Sequence, residues 1–134
     1  MSKKTEYLQK NADFLAALRK EEDIKELPCG VFYRIVAEGK GVSRQPNIRS
    51  VVSVHYTGTL INGRIFDDTR RIKCPAAFRL KDVITGWQIA LPRMHVGDRW
   101  IIYIPSEAGY GKRAIGQIPG NSTLIFDVEL LSIA

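Results

Sequence analysis

Cysteine is scarce: Cys29 and Cys74 are the only two in 134 residues. Neither stands in a CxxC or a Cys/His spacing, so the sequence carries no zinc or redox motif. Two free thiols are the expectation in a reducing compartment, and a disulfide only in an exported chain. Histidine is equally sparse, and His55 and His95 are far apart. Both are read as structural or surface residues, not metal ligands. No apolar run approaches the length of a membrane span. Met1-Ser2-Lys3-Lys4 begins like the basic part of a signal peptide. Glu6, Lys10, Asp13, Arg19 and Lys20 then leave no room for an apolar segment. The expectation is a cytosolic protein that does not enter a membrane.

The usual catalytic signatures are missing too. Gly39-Lys40-Gly41 is not a dinucleotide loop, because the third glycine would fall at Arg44. No serine occupies a GxSxG elbow. Ser53 and His55 fall on one face of a strand, but that pair alone makes no triad. Asp67 and Asp68 are neighbours on a strand, so their carboxylates point to opposite faces and do not converge. Neither a metal nor a cofactor is expected.

What is present suits one globular domain. Apolar residues make up 45% and charged residues 25%, ordinary values for a folded chain of this length. The formal charge is +6. It is uneven: residues 1–30 balance six basic against six acidic side chains, so the surplus lies beyond them. Arg64, Arg70, Arg71, Lys73, Arg79 and Lys81 concentrate it. Such a run can attract nucleic acid or acidic segments, but a solvated loop is the simpler reading.

Periodicity organises the chain. Residues 3–20 read as an amphipathic helix, with Leu8, Phe14, Leu15 and Leu18 on one stripe and Asn11 in its missing step. Ser2 can cap it, and Glu6 suits its first turns. Arg19–Glu26 reads as a fraying end or linker, closed by Pro28 and Gly30. From Val31 to Ala37 the period becomes that of a strand. Gly39, Gly41 and Pro46 mark a loop. A second strand runs from Arg49 to Leu60, and Asn62-Gly63 signals a hairpin to a returning strand at Ile65–Asp67. Further strands are expected at Ala77–Leu80, Arg99–Ile104 and Thr123–Ile133. A short helix starts near Thr85 and stops at Pro92. Residues 106–122 form a long loop with four glycines. The fold class is therefore α+β: about five strands in a twisted, mainly antiparallel sheet around one short helix, preceded by an N-terminal helix.

The aromatic residues are placed unusually. Tyr56 is in a strand, Phe66 ends a hairpin, Trp87 is in the short helix, Tyr110 is in the glycine-rich loop and Phe126 is in the last strand. Spacing alone favours a common core. Against that, Tyr110 is flanked by Gly109 and Gly111, and Asp67 would place a carboxylate at the rim of the cluster.

Six segments settle the choice by resemblance. They are VHYTGTL at 54–60, NGRIFDDT at 62–69, VITGW at 83–87, MHVGDRW at 94–100, GYG at 109–111 and IPGNSTLIFDVELL at 118–131. In this order and spacing they resemble the FKBP-type peptidyl-prolyl isomerases, over roughly residues 49–134. LPCGVFYRIVAEGKG at 27–41 resembles the entry strand of bacterial members with an N-terminal helical extension. The resemblance implies an extension over residues 1–30 and an isomerase domain over 31–134, built as a half-barrel sheet wrapped around the short helix. It implies a pocket with Trp87 as floor and Tyr56, Phe66 and Phe126 as walls. Val83 and Ile84 edge it, and the Ile84 N–H contacts ligand. Tyr110 offers its hydroxyl to a substrate carbonyl, Asp67 accepts a hydrogen bond, and Ile118 closes one side.

The implied ligands are proline-containing peptides, unfolded proteins and macrolide immunosuppressants. The chain departs from many members at Ala76, where they carry an aromatic residue. It is also shorter between Pro75 and Val83 and at residues 112–118. A proline-binding chaperone module with little catalysis and a nucleic-acid binder are the competing readings, in that order. The N-terminal helix has three open roles: packing on the sheet, pairing with another copy, or loose attachment.

Overall fold

The computed structural model describes residues 2–40 and 44–134. Helix α1 spans Lys3–Leu18. Strands β1 (Lys25–Glu26) and β2 (Phe32–Ala37) follow, then β3 (Val51–Thr59), β4 (Ile65–Asp68) and β5 (Ala76–Arg79). Helix α2 covers Thr85–Ala90, and β6 (Arg99–Ile104) and β7 (Leu124–Ile133) complete the chain. All pairings are antiparallel. The sheet order is β1-β2-β6-β7-β3-β4, with β5 also paired to β3. Residues 51–54 of β3 pair with β5 and residues 57–59 with β4, so two short strands share one edge of β3.

The sheet has seven strands, against about five expected. The addition nobody would read from periodicity is β1, which has only two residues, too few to show an alternation. It lies in the stretch expected to be a linker. The expected loop at Gly39 and Pro46 is present, while Gly41 lies outside the described residues. No helix among the described residues is long and apolar enough to cross a membrane.

Alternation divides each long strand between two faces. On β3, Val52, Val54 and Tyr56 point inward; on β6, Trp100, Ile102 and Ile104; on β7, Leu124, Phe126, Val128 and Leu130. Helix α2 sits against this concave face through Trp87 and Ala90, with Leu91 just after it. Gly86 permits the close seat: a Cβ there would lie 2.5 Å from Ile104 Cδ1. A 3₁₀ turn at Leu91–Arg93, with Pro92 inside it, ends the helical run.

The convex face carries a second apolar cluster. Leu18, Phe32 and Tyr103 are buried there, with Phe14, Leu15, Ile24, Ile101 and Ile125 packed around them. Helix α1 therefore packs on the sheet. Its Ser2 cap accepts from the Thr5 N–H at 3.1 Å. The stripe differs from the expected one at Leu8, which is 48% exposed. Tyr7 takes the inward place instead, because Tyr7, Asn11, Phe14 and Leu18 follow the four-and-three step of one helix face. Asn11, in the middle, is 4% exposed. Its Nδ2 donates to Tyr7 O, and its Oδ1 accepts from Thr123 N, both at 2.8 Å.

Candidate active site

The concave face is not filled to its end. Where α2 meets β3, β4 and β5, a cavity of about 260 Å³ remains. Its lining is Tyr56, Phe66, Asp67, Phe78, Asp82, Val83, Ile84, Trp87, Tyr110 and Phe126. Seven elements or loops supply these residues, so the cavity exists only in the assembled fold.

Trp87 organises the rings. Tyr56, Phe78 and Phe126 meet it edge-on, with centroids 5.2, 5.4 and 5.3 Å away and interplanar angles of 87°, 84° and 86°. Phe66 meets Phe126 in the same manner at 5.6 Å. Each such edge-to-face pair adds about 0.5–1.5 kcal/mol beyond area burial. Trp87 is 3% exposed and its Nε1 has no hydrogen-bond partner. The cluster is therefore dry and poor in polar groups.

Polar groups stand at its margin. The Tyr56 hydroxyl donates to Asp67 Oδ2. Burial, the Asp67 hydrogen bond and the nearby Asp67 and Tyr110 charges raise the Tyr56 hydroxyl well above its ordinary value. Tyr56 is held from behind as well, since its N–H donates to buried Thr69 Oγ1 at 2.8 Å and its carbonyl accepts from Thr69 N at 2.9 Å. Asp68 points the other way, to Thr57 Oγ1 at 3.0 Å, so the neighbouring carboxylates diverge. His55 reaches Thr69 Oγ1 at 2.9 Å, a structural contact.

Ile84 is the residue before α2, with extended backbone. Its carbonyl accepts from Trp87 N and Gln88 N. Its N–H finds no acceptor among the described residues. Gln88 Nε2 donates to Val83 O at 2.8 Å and to Lys81 O at 3.2 Å, which braces the segment. Tyr110 is 40% exposed, with its loop on one side and the cavity on the other.

Eight of the residues named from sequence thus line one cavity: Tyr56, Phe66, Asp67, Val83, Ile84, Trp87, Tyr110 and Phe126. Ile118 is absent from the lining. It is 7% exposed and packed into the main core, held by paired backbone bonds with Ile115 at 2.9 Å. Two lining residues had no sequence expectation, Phe78 and Asp82. Phe78 had a signal: strand alternation puts it on the same face as Ala76, the position where many family members carry an aromatic residue. Asp82 had none, because Leu80-Lys81-Asp82 reads as an ordinary charged turn.

Behind the cavity, on the convex face, Asp127 joins Arg99 and Arg70. Arg99 donates to both carboxylate oxygens at 2.8 Å, and Arg70 to Oδ1 at 3.3 Å. Burial pushes the Asp127 carboxyl up, but the Arg99 hydrogen bonds and the charges of Arg70 and Arg99 outweigh it and hold the group below its ordinary value. Arg70 also donates to Thr57 Oγ1 and to Asp127 O, both at 3.0 Å. It therefore ties β3 and β7 together under the aromatic wall.

Known proteins place this arrangement. A family model described as FKBP-type peptidyl-prolyl cis-trans isomerase matches residues 42–131. The chain is 40% identical over 125 residues to the FKBP-type peptidyl-prolyl cis-trans isomerase FkpA of Aeromonas hydrophila, covering 93% of this chain and 46% of that protein. It is 40% identical over 134 residues to the outer membrane protein MIP of Legionella longbeachae, covering 98% of this chain and 57% of that protein. A solved peptidyl-prolyl cis-trans isomerase from Pseudomonas syringae pv. tomato superposes with a TM-score of 0.89 at 32% identity, covering 100% of this chain and 98% of that one. The chain spans about half the length of the curated relatives it matches.

Proposed function

This chain belongs to the FKBP-type peptidyl-prolyl cis–trans isomerase family, and from that premise we propose that its cavity binds proline-containing segments and accelerates rotation about X–Pro bonds. Rotation must break amide resonance, against a barrier of about 18–20 kcal/mol. No covalent bond is cleaved and no proton needs to move. Catalysis therefore asks only that the twisted amide be held better than the planar one.

The observation that carries this reading is the composition of the cavity. Four rings surround Trp87 or its neighbours, and apart from the Trp87 Nε1 the hydrogen-bonding side chains stand at the edge. The planar amide is the more charge-separated form, and a dry apolar site disfavours it relative to the twisted one. Each tenfold acceleration needs about 1.4 kcal/mol of such discrimination. Trp87 supports the proline ring from below. Tyr110 and the unoccupied Ile84 N–H are placed to grip carbonyl or amide groups flanking it. Asp67 holds the Tyr56 ring through its hydroxyl.

Isomerisation of a proline-containing test peptide, followed with and without the protein, decides the matter: no acceleration removes the enzyme reading. Asp67→Ala and Phe126→Ala should each lower the rate while circular dichroism still reports the fold. Unchanged rates in both would take these residues out of the site. The same cavity would take a macrolide immunosuppressant, which should then compete with the peptide. The division at residue 30 into extension and isomerase domain, and the cytosolic placement, stand as proposals. One relative is named an outer membrane protein, and fractionation of cells producing the native chain tests the placement.

A further inference from the structure

Helix α1 lies on the opposite face of the sheet from the cavity, yet its inward polar groups end on the loop that carries Tyr110. We propose that α1 is a positioning element of the active site, with Tyr7 and Asn11 setting where Tyr110 stands. The proposal rests on the isomerase reading above.

The connection is continuous. Tyr7 OH lies 2.7 Å from Ser122 Oγ, and Ser122 Oγ donates to Pro119 O at 2.7 Å. With that hydrogen committed, the Tyr7 hydroxyl is the donor to Ser122. Next along the chain, Thr123 N donates to Asn11 Oδ1 at 2.8 Å. Ser122 and Thr123 are 3% and 1% exposed, so neither can replace these partners with water.

The chain just before them closes the loop. Asn121 N donates to Gly111 O at 2.8 Å, and Gly111 N donates to Ser106 O at 2.8 Å. Gly120 lies so near the other arm that a Cβ would come within 2.1 Å of Lys112 O. Tyr110 stands next to Gly111, inside this clamp. Gly109 and Gly111 flank it, and Gly111 has a positive φ of 68°. Gly109 N and Gly111 N both donate to Ser106 O, so the backbone on either side of Tyr110 is tied to the loop, and the Gly111 side is tied on to Asn121 at the base. Asn11 and Tyr7 hold that base from outside the isomerase sheet.

The consequence for substrate is specific. A loosened base leaves Tyr110 away from the cavity part of the time. Apparent substrate affinity then falls by the fraction of molecules in the competent arrangement, while saturating substrate restores it. Loss of the clamp should raise KM and spare kcat.

The test uses the full chain with Tyr7→Phe, which removes one hydroxyl, and Asn11→Leu, which keeps the approximate bulk and removes the amide. Each should raise KM for a prolyl peptide about two- to tenfold, the range one net hydrogen bond spans, with kcat unchanged. Amide exchange should quicken at Gly111, Asn121 and Thr123 and stay slow in β3 and β7. Leu8→Ala, on the solvent side of the same helix, should keep the wild-type KM. An active wild type whose two variants keep its KM would overturn the proposal alone. So would an equal rise in Leu8→Ala, or exchange that quickens evenly through the sheet. A wild type without isomerase activity would instead overturn the reading on which the proposal rests.

Discussion

Gly58 lies directly beneath the ring of Phe66: a Cβ built on it would come within 2.6 Å of Phe66 Cζ and 3.0 Å of Phe126 Cε1. The aromatic wall leans on bare backbone. Gly58→Ala must therefore push two rings into the cavity or away from each other. Overpacking of this kind costs about 1–3 kcal/mol. Prolyl-isomerase activity should fall further than stability does, which paired urea unfolding and rate measurements would show. Wild-type activity in a folded Gly58→Ala protein would mean that the Phe66–Phe126 geometry is unimportant.

Phe78 contributes one of the three rings set edge-on to Trp87. It is partly exposed, so Phe78→Ala should cost less than the ~3–5 kcal/mol of a fully buried phenylalanine. Peptide and macrolide affinity should drop nonetheless, because the cavity loses a wall. Titration of either ligand against the variant checks this.

The Tyr56 hydroxyl makes an alkaline prediction. Below its ordinary value of 10.0 it is protonated in folded and unfolded chains alike, so it adds no pH dependence. Above that, the unfolded chain loses the proton first and stability falls as pH rises towards the folded value. Tyr103, also raised by burial, contributes a similar slope. Denaturant midpoints on either side of pH 10, measured for wild type and Tyr56→Phe, should show a shallower fall in the variant.

Asp127 acts at the other end of the scale. Its carboxyl is depressed in the fold, so its contribution is present above the ordinary 3.8 and lost as pH falls through the folded value. Asp127→Asn should flatten the acid limb of stability. At neutral pH it should cost about 1–3 kcal/mol, since two guanidinium groups lose charged acceptors. Thermal unfolding across the acid range tests both statements.

Much of this architecture was legible because the chain's periods change cleanly. The alternation in β3 and β7 and the punctuation by Asn62-Gly63 and Pro92 follow directly from backbone preferences. Motif order then drew Tyr56, Trp87 and Phe126 to one place, a long-range relationship that no local period contains. What escaped was decided by packing. Leu8 and Tyr7 are adjacent, and a rotation of one residue about the helix axis chose between them. Ile118 was expected at the pocket because of its position in a motif, but its loop folds back through Ile115 and buries it. β1 exists because β2 offers it an edge, not because two residues prefer to be extended.

Asn11 has a further effect on how the N-terminal helix can dock. A stripe made only of leucine and phenylalanine would bind the sheet almost equally well after sliding by one turn. With an amide in the stripe, a slide places an apolar side chain against the Thr123 N–H and strands the amide elsewhere, and each orphaned group costs about 1–3 kcal/mol. The Asn11–Thr123 hydrogen bond consequently favours one register of the helix on the sheet over its one-turn slides.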